Sequence, residues 1–306
     1  MTKTNLFLIG AAKAGTTALA QMLGNHTEIS LLAIKEPGHF CCDIYADGFS
    51  TSYAEMLRWD EQQYFNATVL EQRHIAFVQD RENYDRLVAE AGESPFILDA
   101  STAYLPSEEA AERIAAYNCE AKIIVSLRNP MSRAYSHYNM AKKYGKEQRS
   151  FLEALNVEAG LEKARWGWDE CYFELGKYAP QLKRWLKHFK SENIHVVWQD
   201  ELLEEPAATL EGIAEFLGLN KELKPLEVVK HGAEVPKNKV VEKVLGGIGP
   251  AVASILPKKI KSMVKNIVLA EPEGIEEADR LFLLRYFAPY IEALEKLLDK
   301  DLTHWK

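Results

Sequence analysis

The 306-residue chain is poor in cysteine, has no long apolar run and carries no excess of positive charge. Each lack excludes something. The four cysteines, Cys41, Cys42, Cys119 and Cys171, show neither C-x-x-C spacing nor a paired histidine pattern, so neither a zinc site nor a disulfide framework is expected. They read as small packing residues, which suits a reduced, cytoplasmic setting. No segment approaches the roughly 20 apolar residues that span a bilayer, so no integral membrane segment is expected. No apolar stretch precedes the first strand, so no signal peptide is expected. The net charge of −8 argues against nucleic acid as the main partner, because such binders carry a basic face. It also disfavours heparin-like polyanions as substrates. No repeat, low-complexity tract or linker is visible. Residues 1–306 are therefore read as a single domain, with 240–306 as its helical C-terminal part.

What is present begins with Asn5–Gly24, NLFLIGAAKAGTTALAQMLG. Leu6–Ile9 reads as a buried strand, Gly10–Thr17 as a glycine-bearing turn and Ala18–Leu23 as the start of a helix. Such a unit aims backbone N–H groups and the positive end of a helix dipole at one point, where phosphate-like anions bind. The spacing Gly10-x4-Gly15-Thr16-Thr17 is nearly a P-loop. Thr16 stands where a nucleotide triphosphatase needs lysine, and the loop's one cation is Lys13. The loop is read as a seat for an anion other than a triphosphate tail.

Strands expected at 6–9, 96–99, 122–126 and 194–198, separated by helices, predict an α/β fold with a mostly parallel sheet flanked on both faces. Helices are expected over 84–91, 130–143, 176–189, 206–217 and 275–298. The stretch from 41 to about 73 is expected to be mostly helical, with Phe49, Tyr53, Met56, Leu57 and Trp59 on one apolar face. A weak strand is expected over His74–Val78. In parallel sheets functional loops follow the carboxyl ends of strands, so Gly10–Thr17, Asp99–Tyr104 and Arg128–Pro130 should converge on one edge. Arg128 leaves a strand beside a helix that Asn129 caps and Pro130 starts. That makes a second anion site, a guanidinium beside free backbone donors. Ser132 and Ser136 share a helix face. Read alone, Arg128 serves equally as an ion-pair partner and the serines as solvated side chains. Two anion sites at neighbouring strand ends suit a ligand with two separated phosphate groups.

These residues carry a family resemblance. FLIGAAKAGTT resembles the 5′-phosphosulfate loop of the sulfotransferases. IIVSLRNPMSRAYSHY resembles their 3′-phosphate segment. LGKYAPQLKRWLKHF, IHVVWQDELLEEPAATLEGIAEFLGL and DLTHW resemble the family's second half. The likeness spans nearly the whole chain and is nearer to the heparan-sulfate type and its soluble bacterial relatives than to the small-phenol type. It implies a three-layer, P-loop-NTPase-like fold with a helical C-terminal extension. It implies the donor 3′-phosphoadenosine 5′-phosphosulfate, the product adenosine 3′,5′-bisphosphate and no metal. Lys13, Ala14, Gly15, Thr16 and Thr17 would hold the 5′-phosphosulfate, and Arg128 and Ser136 the 3′-phosphate. Lys237, in VPKNK, lies where the family often has a basic loop over the nucleotide; a solvated lysine fits there equally.

Sulfuryl transfer is in-line and loose, so positioning and charge stabilisation dominate. Lys13 would neutralise the leaving oxygen. Lys35-Glu36-Pro37 resembles the segment whose glutamate is the general base of the carbohydrate-sulfating branch. Gly38-His39-Phe40 follows where the family has one polar residue and two aromatics, so Glu36 and His39 both stand as candidate bases. DASTAYL resembles E-K-S-x-x-Y-L, with Ala100 replacing the lysine and Ser101 left to touch donor or acceptor. The acceptor expected is a hydroxyl on a sugar, lipid or other metabolite in a bacterial cytoplasm. Val240–Ala270 reads as an acceptor lid, a peripheral membrane-surface helix or an ordinary packing helix. Two rivals remain. A P-loop kinase or ATPase draws support from Phe96-Ile97-Leu98-Asp99, which looks like a magnesium-binding strand end, and is opposed by Thr16. A non-catalytic nucleotide-binding protein of the same fold is opposed by the presence of Lys13 and Glu36.

Overall fold

The computed structural model describes residues 2–57, 59–167, 169–226, 235–236, 269–270 and 275–306. Lys237 and nearly all of Val240–Ala270 lie outside the described residues. The strands that build and flank the site are β1 (Leu6–Leu8), β2 (Ile29–Leu31), β3 (Ile34–Lys35), β4 (Arg73–His74), β5 (Phe96–Ala100), β6 (Lys122–Leu127) and β7 (Ile194–Trp198). Five of them form one sheet in the order β2-β5-β1-β6-β7, every pair parallel. Leu6 of β1 pairs with Leu98 on one side and Lys122 on the other.

β1 lies at the centre of this sheet, which explains its uninterrupted apolar run, because strands covered on both faces have no polar side. Leu6 and Leu8 point to one core with Leu98, Ala100 and Ile124. Phe7 and Ile9 point to the other with Ile97, Ile123 and Val125. The helices are α1 (Thr16–Gly24), α2 (Thr51–Met56), α3 (Glu61–Phe65), α4 (Arg81–Glu90), α5 (Ala110–Tyr117), α6 (Pro130–Lys143), α7 (Phe151–Ala159), α8 (Tyr178–His188), α9 (Gln199–Glu204), α10 (Pro206–Leu217) and α11 (Glu277–Leu298). α1 and α10 close the first core through Leu19, Leu23, Leu210 and Ile213. α5, α6, α8 and α11 close the second through Ile114, Met131, Leu182, Trp185 and Phe287. The result is the three-layer α/β architecture with a long helix near its C-terminal end. No helix among the described residues is long and apolar enough to cross a membrane.

Three local expectations change. Between 41 and 73 the described residues form a 3-10 turn at Ala46–Gly48, the six-residue α2 and the five-residue α3. Aromatic contacts such as Phe49–Phe77, at 4.8 Å, pack the remainder as loop. Met56 is 39 % exposed and leaves the apolar face that Phe49, Tyr53 and Leu57 bury. The strand expected over His74–Val78 is instead Arg73–His74, because Ile75 turns to a φ of 64° and breaks the ladder. α7 falls within 144–175, a mixed stretch expected to hold charged helical pieces, and its capping box joins Ser150 and Glu153.

Candidate functional site

The loop after β1 is strapped to the strand beside it. Ala11 donates to the Ser126 carbonyl at 2.5 Å, and Ser126 donates to Gly10 through its amide (2.7 Å) and to Ala14 through its hydroxyl (2.6 Å). Gly15 then caps α1 at φ 80°, a left-handed value that suits glycine. No side chain caps that end, so its first-turn N–H groups are left for a ligand. Ala14 and Thr16 are buried beneath the loop, and Thr17 is exposed.

Arg128 follows β6 and reaches this loop directly. Its Nη1 donates to the Lys13 carbonyl at 3.2 Å, and Tyr178 Oη donates to the Arg128 carbonyl at 2.8 Å. Asn129 caps α6, accepting from Met131 (3.0 Å) and Ser132 (3.4 Å), and its Nδ2 donates to the Trp305 carbonyl at 3.2 Å. Ser136 lies on α6 and is half-buried. The two expected anion loops are thus one structure, joined by an arginine.

Charge in this corner is one-sided. Lys13 Nζ has the Met140 sulfur at 3.4 Å. Burial, then Arg128, Arg133 and Lys143, lower the Lys13 pKa to about 8, with Glu36 pulling the other way. Arg133 was not among the expected site residues. It is fully buried and donates to the carbonyls of Cys171 and Tyr172, yet its Nε and Nη1 have no partner. The available signal was its place one helical turn after the Asn129 cap. His137, read as structural, is buried with Nε2 donating to the Gly167 carbonyl at 3.1 Å. Burial, Arg133 and Lys13 keep it neutral. No carboxylate ion-pairs with Lys13, Arg128 or Arg133 among the described residues. Buried cations without partners are costly, and an anion supplied from outside would relieve that cost.

Glu36, at φ 65°, sits past β3. Its Oε1 takes Lys35 Nζ at 2.7 Å and faces His74 Nε2 at 3.6 Å; its Oε2 accepts from Thr102 Oγ1 at 2.9 Å. The β3–β4 register sets Lys35 opposite His74, which brackets the carboxylate. Burial opposes ionisation, but Lys35 and His74 outweigh it and hold the Glu36 pKa at about 2. His39 is built into packing: Nδ1 meets the Val78 carbonyl at 2.8 Å and the ring stacks on Tyr84 at 4.2 Å. Burial lowers its pKa, and the charges facing it are Arg81, Asp85 and Asp80.

Asp99 is fully buried and accepts from Ser101 Oγ (2.7 Å), Tyr104 Oη (2.8 Å) and Tyr84 Oη (3.0 Å). Burial pushes its pKa up to about 6 against those bonds. A carboxylate spent on three hydroxyls inside the core gives a magnesium-binding strand end no support. Ser101 also accepts from the Gly38 amide at 3.2 Å, so it is committed to the core, not to donor or acceptor. Among the described residues, no cluster of three or more His, Cys, Asp or Glu could hold a metal.

Residues 3–240 match the family model described as "Sulfotransferase domain". The mouse heparan sulfate glucosamine 3-O-sulfotransferase 3A1 is 28 % identical over 216 residues, 70 % of this chain and 45 % of that protein. The Xenopus laevis bifunctional heparan sulfate N-deacetylase/N-sulfotransferase 1 is 28 % identical over 301 residues, 96 % of this chain and 30 % of that protein. The chain thus spans less than half the length of these curated relatives. The crystal structure of a sulfotransferase from Alicyclobacillus acidocaldarius superposes with a TM-score of 0.68 at 24 % identity, over 100 % of this chain and 99 % of that one, a likeness in fold.

Proposed function

Because the chain belongs to the sulfotransferase family, we propose that it moves a sulfuryl group from 3′-phosphoadenosine 5′-phosphosulfate to an acceptor hydroxyl on a sugar, lipid or other metabolite. The donor supplies the sulfuryl group. The observation that carries this reading is the cation corner around Lys13, Arg128 and Arg133, ion-paired with no carboxylate among the described residues and opening on an uncapped helix. Its residues fit a doubly anionic nucleotide. The first-turn amides at Thr16 and Thr17, with Lys13, would hold the phosphosulfate end; Arg128 and Ser136 would hold the 3′-phosphate. Lys13 balances the charge on the oxygen that leaves as the sulfur–oxygen bond breaks.

Glu36 takes the proton of the acceptor hydroxyl as the new oxygen–sulfur bond forms. A pKa near 2 makes it a weak base. A loose transition state places little new charge on the attacking oxygen, so the proton leaves late and a weak base suffices. Titration with adenosine 3′,5′-bisphosphate and with ATP–magnesium tests the reading. Bisphosphate binding that Lys13→Ala weakens is the expected result; tight ATP binding with no bisphosphate binding overturns it.

A further inference from the structure

Two cavities flank the residues that bracket Glu36. One, of about 360 Å³, lies between α1 and the sheet edge and is lined by Thr17, Gln21, Leu31, Ile34, Lys35 and Leu98 among others. The second, of about 390 Å³, is lined by Met56, Leu57, Ile75, Tyr144 and Lys146. Arg73 and His74 line both and form their common wall. The first cavity reaches from the donor loop's helix, at Thr17, to Lys35 and His74 on the Glu36 carboxylate.

The lining of this groove departs from the rest of the protein. In a chain of net charge −8, no carboxylate lines either cavity among the described residues, whereas Lys35, Arg73, His74 and Lys146 do. A third cavity, of about 1030 Å³, shows the contrast: Asp43, Asp47, Glu108, Glu158, Glu162 and Glu174 all line it. Arg73 has no counter-ion among the described residues. Its guanidinium lies over the Trp59 ring at 4.8 Å, and its buried Nε has no hydrogen-bond partner. No ion pair involves it among the described residues. A guanidinium packed over an aromatic ring can still present its terminal nitrogens to a ligand, and that fork matches the two oxygens of a carboxylate in parallel. Beside it, Leu31, Leu32, Ile34 and Leu98 offer an apolar wall.

We infer that Arg73 is the anion-binding residue of the acceptor site, and that the acceptor is a hydroxy acid with an apolar body whose carboxylate pairs with Arg73. The role as acceptor rests on the sulfuryl-transfer reading; the binding of the acid does not. The apolar body lies along Leu31, Leu32, Ile34 and Leu98, and the hydroxyl lies near Glu36.

The test is calorimetric titration of the whole protein, without nucleotide, using 3-hydroxydecanoate and its methyl ester. The acid is expected to bind at least tenfold more tightly than the ester. Arg73→Gln should erase that preference, and Arg73→Lys, which keeps the charge and loses the fork, should restore part of it. Failure of the wild type to bind the acid, or equal affinity for acid and ester, overturns the inference and needs no variant. An unchanged preference in folded Arg73→Gln overturns it too. The bisphosphate titration is independent: acid binding without bisphosphate binding sinks the sulfuryl reading and leaves the Arg73 site standing, and the reverse result does the opposite.

Discussion

The ammonium of Lys13 is conditional. Burial beside Arg128, Arg133 and Lys143 leaves its pKa at about 8, so the free protein carries this charge below that pH and loses it above. If Lys13 balances the leaving oxygen, kcat/KM is flat on the acid side of about 8 and declines as pH rises through it. Lys13→Arg should move the declining limb to higher pH, since a guanidinium stays protonated. A steady-state profile that stays level well past pH 8 refutes the role. Lys13→Ala should lower turnover by on the order of 10² or more. Glu36→Gln should remove most transfer while bisphosphate affinity holds. An inactive His39→Ala beside an active Glu36→Gln would hand the base to His39. Lys13 and Glu36 were visible in the sequence because each sits in a short, spaced motif. Arg133 was not, because an arginine inside a helix reads as solvated until packing shows it fully buried. Ser101 misled for the converse reason: its motif neighbourhood suggested a ligand, and Asp99 had already claimed its hydroxyl.

At the scale of elements, the proposed anion clamp straddles the start of α6, with Arg128 just before the helix and Ser136 in its second turn. Asn129 fills two of its open N–H groups and also grips the Trp305 carbonyl. Asn129→Ala should therefore cost about 1 kcal/mol or somewhat more in urea unfolding. It should also weaken bisphosphate binding, because Arg128 is the preceding residue. Unchanged affinity in a destabilised variant would separate the cap from the clamp. The sheet was legible because β1, β5 and β6 are covered on both faces and so read as apolar runs bounded by turns. The stretch from 41 to 73 was not. Its aromatic spacing mimics a helix face, but Phe49 and Tyr53 pack on Phe77 from a distant loop, and tertiary contact overrides local periodicity. β3 and β4 are two residues each, too short for alternation to appear, yet their register alone puts His74 opposite Lys35.

For the whole molecule, Trp305 is the fastening. It is 1 % exposed, donates from Nε1 to Asp200 Oδ2 at 3.2 Å, and packs its ring 5.4 Å from Trp198 and 6.4 Å from Tyr178. Its side chain thereby ties β7, α8 and Asp200 together, and its backbone carbonyl holds the head of α6. Trp305→Ala should cost about 3–5 kcal/mol, read as a lowered melting temperature. Bisphosphate affinity should fall with it, even at temperatures where the variant is folded. The hydrogen bond between Asn129 and Trp305 also sets a schedule. A ribosome adds about 5–20 residues each second, so the partner of Asn129 arrives on the order of ten seconds or more after Asn129 itself, and later still after Lys13. Until then a nascent chain lacks the hydrogen bond that Trp305 gives the head of α6, and Arg128 beside it goes without that support.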